Sequence, residues 1–237
     1  MATSGSTNFS ITRNELIAGA YRLAGVTAQG ETPTTQQYTD GAEALNMMVK
    51  AWQADGMPLW AMKQYSVTLT ASTSFTIGVS QTVNTPKPLK IVQAFLHNTS
   101  TNIDIPMRIL TRDEYNRLGN KTDTGQPIQI FYEPLLDTGV LYVFPKPNAT
   151  AISYNTITIV YQRPFEDFDA STDNPDFPQE WYEAVKYGLA LRLAGENTLS
   201  LQVRQELRQD AKDIKDLALS FGSEEGSLYL MADQRDW

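Results

Sequence analysis

A single histidine, no cysteine and 27 acidic side chains limit the chemistry open to this 237-residue chain. Nucleophilic catalysis of the Ser-His-Asp or Cys-His kind needs an imidazole beside the nucleophile. Only His97 could serve. It lies near the end of a strand candidate, next to Asn98, and no Gly-x-Ser-x-Gly turn occurs anywhere in the chain. His97 therefore reads as structural. A metal centre built on several histidines is impossible within one chain, and without thiols there is no Cys-ligated zinc, disulfide or thiolate nucleophile. Neither the Gly-x-x-x-x-Gly-Lys phosphate loop nor the Gly-x-Gly-x-x-Gly dinucleotide fingerprint is found.

The acidic segment from Glu166 to Asp176 is the nearest approach to a metal loop. Asp167, Asp169, Ser171 and Asp173 stand at positions 1, 3, 5 and 7 of a calcium-binding register. Thr172 occupies the position that needs glycine, and Pro178 the one that needs a bidentate glutamate. The segment reads as a polar linker entering a helix. Two carboxylates could in principle serve glycoside hydrolysis, but no spacing among the acids selects a pair. Aromatics on strand candidates (Tyr65, Phe75, Phe131, Tyr132 and Tyr142) would suit a carbohydrate-binding surface if exposed, so a β-rich carbohydrate-binding module or a cell-wall glycosidase is the alternative function. Trp52, Trp60 and Trp181 lie on or beside apolar helix faces and read as core. Trp237 ends a polar tail instead and reads as an anchor for a partner.

Hydrophobic residues make up 41% and charged residues 19%, which suits a folded chain with a real core. No apolar run approaches the roughly 18 residues that a membrane span requires, so no membrane partner is expected. The first seven residues are small and polar and carry no secretory signal pattern. The absence of cysteine fits folding in a reducing cytoplasm. The net charge of −8 argues against a surface that grips DNA phosphate, which is normally basic.

The elements that must position these residues fall into three stretches. Helical periodicity covers about residues 12–56. Thr12 and Glu15 form a capping-box pair, Leu16, Ile17, Ala20, Leu23 and Ala24 share a face, and Gly25 can supply a left-handed C-terminal stop. Thr34 and Gln37 open a second helix carrying Tyr38, Ala42, Leu45, Met48, Val49 and Trp52, which Asp55-Gly56-Met57-Pro58 ends. Strand patterns then dominate at 65–70, 74–77, 90–96, 129–132, 140–144 and 156–161, with a hairpin expected across Asp137-Thr138-Gly139. A third capping box, Thr111 with Glu114, opens a short helix within this region. Helix returns after Pro178, with Trp181, Val185, Leu189 and Leu193 on one face. A last helix carries Val203, Leu207, Ala211, Ile214, Leu217, Ala218 and Phe221 in near-heptad order.

Apolar-faced helices at both ends of the chain must bury their stripes. The expected fold is α+β: a discontinuous helical bundle with an inserted antiparallel β region and a flexible C-terminal arm. The expected divisions are residues 1–62 and 178–222 for the helical core, 63–177 for the β-rich insertion and 223–237 for the arm.

An ordered set of segments carries a family resemblance. They are Glu15-Leu16-Ile17-Ala18-Gly19-Ala20-Tyr21-Arg22-Leu23-Ala24-Gly25-Val26, Gly30-Glu31-Thr32-Pro33 and Ala44-Leu45-Asn46-Met47-Met48-Val49-Lys50-Ala51-Trp52. Arg112-Asp113-Glu114-Tyr115 follows, with Lys121 and Gly125-Gln126-Pro127, then Leu141-Tyr142-Val143-Phe144-Pro145-Lys146-Pro147. Phe177-Pro178-Gln179-Glu180-Trp181-Tyr182 and Leu189-Ala190-Leu191-Arg192-Leu193-Ala194 complete it. The chain resembles the head-to-tail adaptors, or tail accessory factors, of short-tailed bacteriophages over about residues 13–197. It departs from their frequent Pro-Glu-Tyr-Gly at Gly195-Glu196-Asn197-Thr198.

The resemblance implies a non-enzymatic structural protein of the virion neck, assembled in the host cytoplasm, without cofactor. It also implies a closed ring, commonly of twelve copies, beneath the portal and above nozzle or fibre proteins, with DNA passing through unread. Gly222 and Gly226 bracket a joint, beyond which apolar side chains have no periodic element to bury them. The expected portal-binding residues are accordingly Phe221, Leu228, Tyr229, Leu230, Met231 and Trp237.

Overall fold

A computed structural model describes residues 3–55 and 59–221. The chain is α+β and divides into two compact units, one of Met1–Met48 with Phe168–Trp237, the other Val49–Asp167.

The first unit is helical. Helix α1 (Arg13–Leu23) begins on the predicted capping box, with Thr12 and Glu15 each satisfying the other's amide. It stops where Gly25 turns left-handed at φ +74°; Gly25 N–H donates to Arg22 O and Val26 N–H to Tyr21 O, a Schellman pair. Helix α2 (Thr35–Asp55) opens on the reciprocal Thr34–Gln37 bonds. A turn of 3₁₀ helix, Gln179–Trp181, leads into α5 (Tyr182–Glu196), and α6 (Leu201–Phe221) follows. Helix α5 lies against both α1 and α6. Leu16, Ile17, Tyr21, Leu45, Met48, Trp181, Val185, Leu189 and Leu193 are buried, as their spacing requires.

The second unit is a two-sheet sandwich. In chain order it contains β1 (Met62–Thr68), β2 (Ser74–Gly78), β3 (Val83–Asn84), β4 (Lys90–Asn98), β5 (Ile103–Pro106), β6 (Arg108–Leu110), α3 (Arg112–Asn116), β7 (Thr124–Gly125), β8 (Gln129–Pro134), β9 (Gly139–Phe144), β10 (Lys146–Pro147), α4 (Ala149–Tyr154) and β11 (Asn155–Gln162). One sheet runs β1-β11-β4-β5 and is antiparallel throughout. The other runs β3-β2-β9-β8-β6, and β7 pairs separately with β10. Alternate residues of both sheets meet in one core: Val67, Leu96, Ile157 and Ile159 from the first, Phe75, Ile77, Ile130, Leu141 and Val143 from the second.

The expected purely antiparallel region needs correction. The β2–β3, β6–β8 and β7–β10 pairs are parallel. For β6 the cause is a crossing between sheets: Met107 N–H donates to Ala94 O, and the next residue, Arg108, donates to Ile128 O, just before β8 of the other sheet. The predicted β8–β9 hairpin is present and antiparallel. Among the described residues no helix is long and apolar enough to cross a membrane.

Candidate interaction surfaces

The groups with chemical potential are committed to structure. His97 Nδ1 lies 2.7 Å from Asp104 Oδ1, a cross-strand pair at the β4–β5 register. In the acidic segment, Asp173 Oδ2 accepts the amides of Asp169 and Ala170, while Asp173 O and Ser171 O accept from Arg13 and Asn14 at the start of α1. Arg13 Nη1 donates to Asp169 O. Asp167 pairs with Lys50 at 2.6 Å. The segment thus caps a helix and pins its own ends.

The possible carbohydrate-stacking aromatics are not an exposed row. Phe75 and Phe131 are buried, and Tyr65 and Tyr132 pack against the sandwich core. Tyr132 Oη donates to Pro88 O at 2.6 Å, and burial pushes its phenol well above the ordinary tyrosine range. On the opposite face of the same sheet, Phe131 and Tyr142 face each other across the β8–β9 register and stack at 5.8 Å. Tyr115 of α3 covers them at 5.0 and 5.1 Å.

Charges frame this cluster. Arg112 lies over the Phe131 ring and pairs with Glu133 at 2.7 Å. Lys121 Nζ stands over Tyr115 and donates to the carbonyls of Asn116 and Leu118. The predicted Thr111–Glu114 capping box starts α3, and its hydrogen bonds from Thr111 hold the Glu114 carboxyl below its ordinary pKa. Arg112, Tyr115, Lys121 and Tyr142, which the sequence offered as scattered motif residues, therefore close one small outer core. Nothing in it resembles a reacting pair. A groove of about 370 Å³ lined by Arg13, Asn14, Thr35, Tyr38, Thr39 and Ala42 likewise brings together no acid–base couple.

Surface features are more informative. On α6, Leu207, Ala211 and Ala218 are buried, but Leu217 and Phe221 are 70% and 74% exposed, one turn apart on one face. The predicted apolar stripe is thus buried only in part. Of the expected portal-binding residues, Phe221 is exposed, while Leu228, Tyr229, Leu230, Met231 and Trp237 lie outside the described residues. The sequence reading missed β5, all four of whose residues are exposed, including Ile103 at 56% and Ile105 at 41%. The alternation Ile103-Asp104-Ile105 was the available signal, shortened by Pro106.

Capped helices, a compact sandwich, and apolar side chains exposed on α6 and β5 thus make up the described structure. Residues 12–224 match the SU10 adaptor protein family, and the chain belongs to that family of phage head–tail adaptors. No curated protein matches the sequence.

Proposed function

We propose that this chain is a subunit of an adaptor ring that joins the portal vertex of a phage head to the tail and continues the DNA channel. The observation that carries this reading is the family match over residues 12–224. A closed ring needs two different complementary faces on each protomer. The exposed end of α6, with Leu217 and Phe221, supplies apolar surface for one of them. It leads into the arm at 223–237, whose Leu228, Tyr229, Leu230, Met231 and Trp237 are the proposed portal anchors.

In this reading the helical parts, residues 1–62 and 178–222, act as one discontinuous bundle, and the β-rich part meets nozzle or fibre proteins. Twelve copies surround the channel, the ring is a component of the virion assembled in the host cytoplasm, and DNA slides past a chain of net charge −8 without being gripped. No cofactor takes part. The test is native mass and imaging of the chain mixed with purified portal. A ring of adaptor copies on the portal, from a free chain that is monomeric or weakly associated in dilute solution, is the expected result; a chain that never binds portal overturns the reading.

A further inference from the structure

The four-stranded sheet has two ends, β1 and β5, and among the described residues neither strand pairs on its outer side. An unpaired edge presents a row of amides and carbonyls that invites another strand. The two edges differ in kind. Their strands run in opposite directions, because four strands alternate through three antiparallel pairings. A copy related by rotation, placed end to end, therefore brings its β1 alongside β5 antiparallel, the more stable ladder.

The side-chain patterns agree. Register places Val67, Ile157, Leu96 and Ile105 on the core face, and Thr68, Thr156, His97 and Asp104 on the other. At the β5 edge the core-face row ends in the exposed Ile103 and Ile105. A neighbouring β1 would continue that row with Tyr65 and Val67, and would set Gln64, Ser66 or Thr68 beside Asp104. Lys63, the charged residue of β1, falls on the same face as Tyr65 and Val67, so Asp104 would meet only uncharged side chains of β1. Pairing β5 with its own copy instead sets Asp104 directly or diagonally across from Asp104, and like charges so placed repel.

We propose that β5 of one copy pairs with β1 of the next, so that the sheet runs on from protomer to protomer. The occupant of each edge is a second copy of this chain. The inference rests on the ring reading above and adds to it the element that sets the register between neighbours. Four residues of strand are too few to supply the roughly 1,000 Å² that a specific contact needs, so the ladder orients a larger interface.

The native chain has no cysteine, which makes disulfide trapping clean. Asp104→Cys is combined in turn with Gln64→Cys, Ser66→Cys and Thr68→Cys, all on the non-core face. Each double variant is assembled on portal and oxidised, then run under non-reducing conditions. The expected result is a ladder of covalent multimers from at least one pair and none beyond dimer from any single variant. Portal-bound rings that give only monomer with all three pairs overturn the edge pairing while leaving the ring intact. Failure of the unmodified chain to form rings on portal overturns the ring reading itself, and the edge pairing with it. As a second measure without cysteine, Ile105→Asp should lower ring formation on portal at least tenfold at unchanged melting temperature; wild-type assembly by this variant also overturns the proposal.

Discussion

A β-carbon placed on Gly41 of α2 would lie 2.6 Å from Cγ2 of Ile17 on α1 and 3.4 Å from the Tyr21 ring. The two helices touch there backbone to side chain, and Ile17 is fully buried. Gly41→Ala gains up to about 1 kcal/mol of helix propensity but forces an overpacked contact costing about 1–3 kcal/mol. A net loss of stability is expected in chemical denaturation. The loss should shrink when Ile17→Ala is already present, because that change removes the clashing methyl; equal losses in both backgrounds would show that the helices do not meet at this pair.

Tyr132 makes the comparable contact in the sandwich. Its ring occupies the space that a side chain at Gly139 would fill, and its hydroxyl donates to Pro88 O. Tyr132→Phe should cost about 0.5–1.5 kcal/mol near neutral pH through the lost hydrogen bond. Burial raises the phenol's pKa in the folded state, so the unfolded chain ionises first as pH rises past about 10. This contribution to stability is full below that pH and falls above it. Wild-type and Tyr132→Phe melting curves should therefore converge at alkaline pH.

The capping boxes predict an acid effect of opposite sign. Backbone and side-chain hydrogen bonds from Thr12 lower the Glu15 pKa, and those from Thr111 lower that of Glu114. Each carboxylate stabilises the fold above the ordinary glutamate pKa of about 4.3, and that stabilisation is lost as pH falls through the lowered folded-state value. Glutamine at both positions keeps the cap geometry without the titration. The double variant Glu15→Gln with Glu114→Gln should show a flatter fall in melting temperature between about pH 5 and pH 3 than the parent.

Local rules made much of the fold legible. All three capping boxes form, because the rule spans four residues and needs no tertiary partner. The longer strands also follow their period. The short ones, β3, β5, β6, β7 and β10, exist through pairing with other strands, and two to four residues carry too little pattern to announce that. Aromatic exposure was left open for a related reason: alternation places Phe131 and Tyr142 on the sheet's outer face, but does not tell that Tyr115 of α3 covers them. Gly41 was visible as an isolated glycine in a helical pattern, a mark of close packing that the apolar stripe alone does not reveal.

Burial separates two residues that the sequence treats alike. Leu189 is fully buried on α5, whereas Trp52 on α2 is only half-buried. Leu189→Ala should cost about 2–5 kcal/mol, as expected for a cavity in a core that cannot fully collapse. Trp52→Ala should cost less than the 3–5 kcal/mol typical of a buried aromatic, despite the larger side chain removed. Urea denaturation of both variants checks the order; a Trp52 loss exceeding that at Leu189 would place the indole in a core the structure does not assign to it.

The end of α6 predicts where binding and folding separate. Leu217 and Phe221 contribute little to the buried helical face, being 70% and 74% exposed, while Leu207, Ala211 and Ala218 hold α6 in place. Leu217→Ser with Phe221→Ser should thus leave the melting temperature within about a degree or two, consistent with surface changes near ±0.5 kcal/mol. Deleting residues 223–237 removes Tyr229 and Trp237, the aromatics able to offer most area per rotamer fixed, and should also leave the helical fold intact. If the helix end and the arm form one portal-binding surface, each change lowers portal affinity at least tenfold, about 1.4 kcal/mol. Joined, they should lose less than the sum, because an arm released from its anchors no longer draws the helix end onto the portal. Wild-type portal affinity in the arm deletion, measured by titration, would exclude the arm as anchor and leave the binding surface on the helices. Loss of affinity in the deletion alone would confine it to the arm.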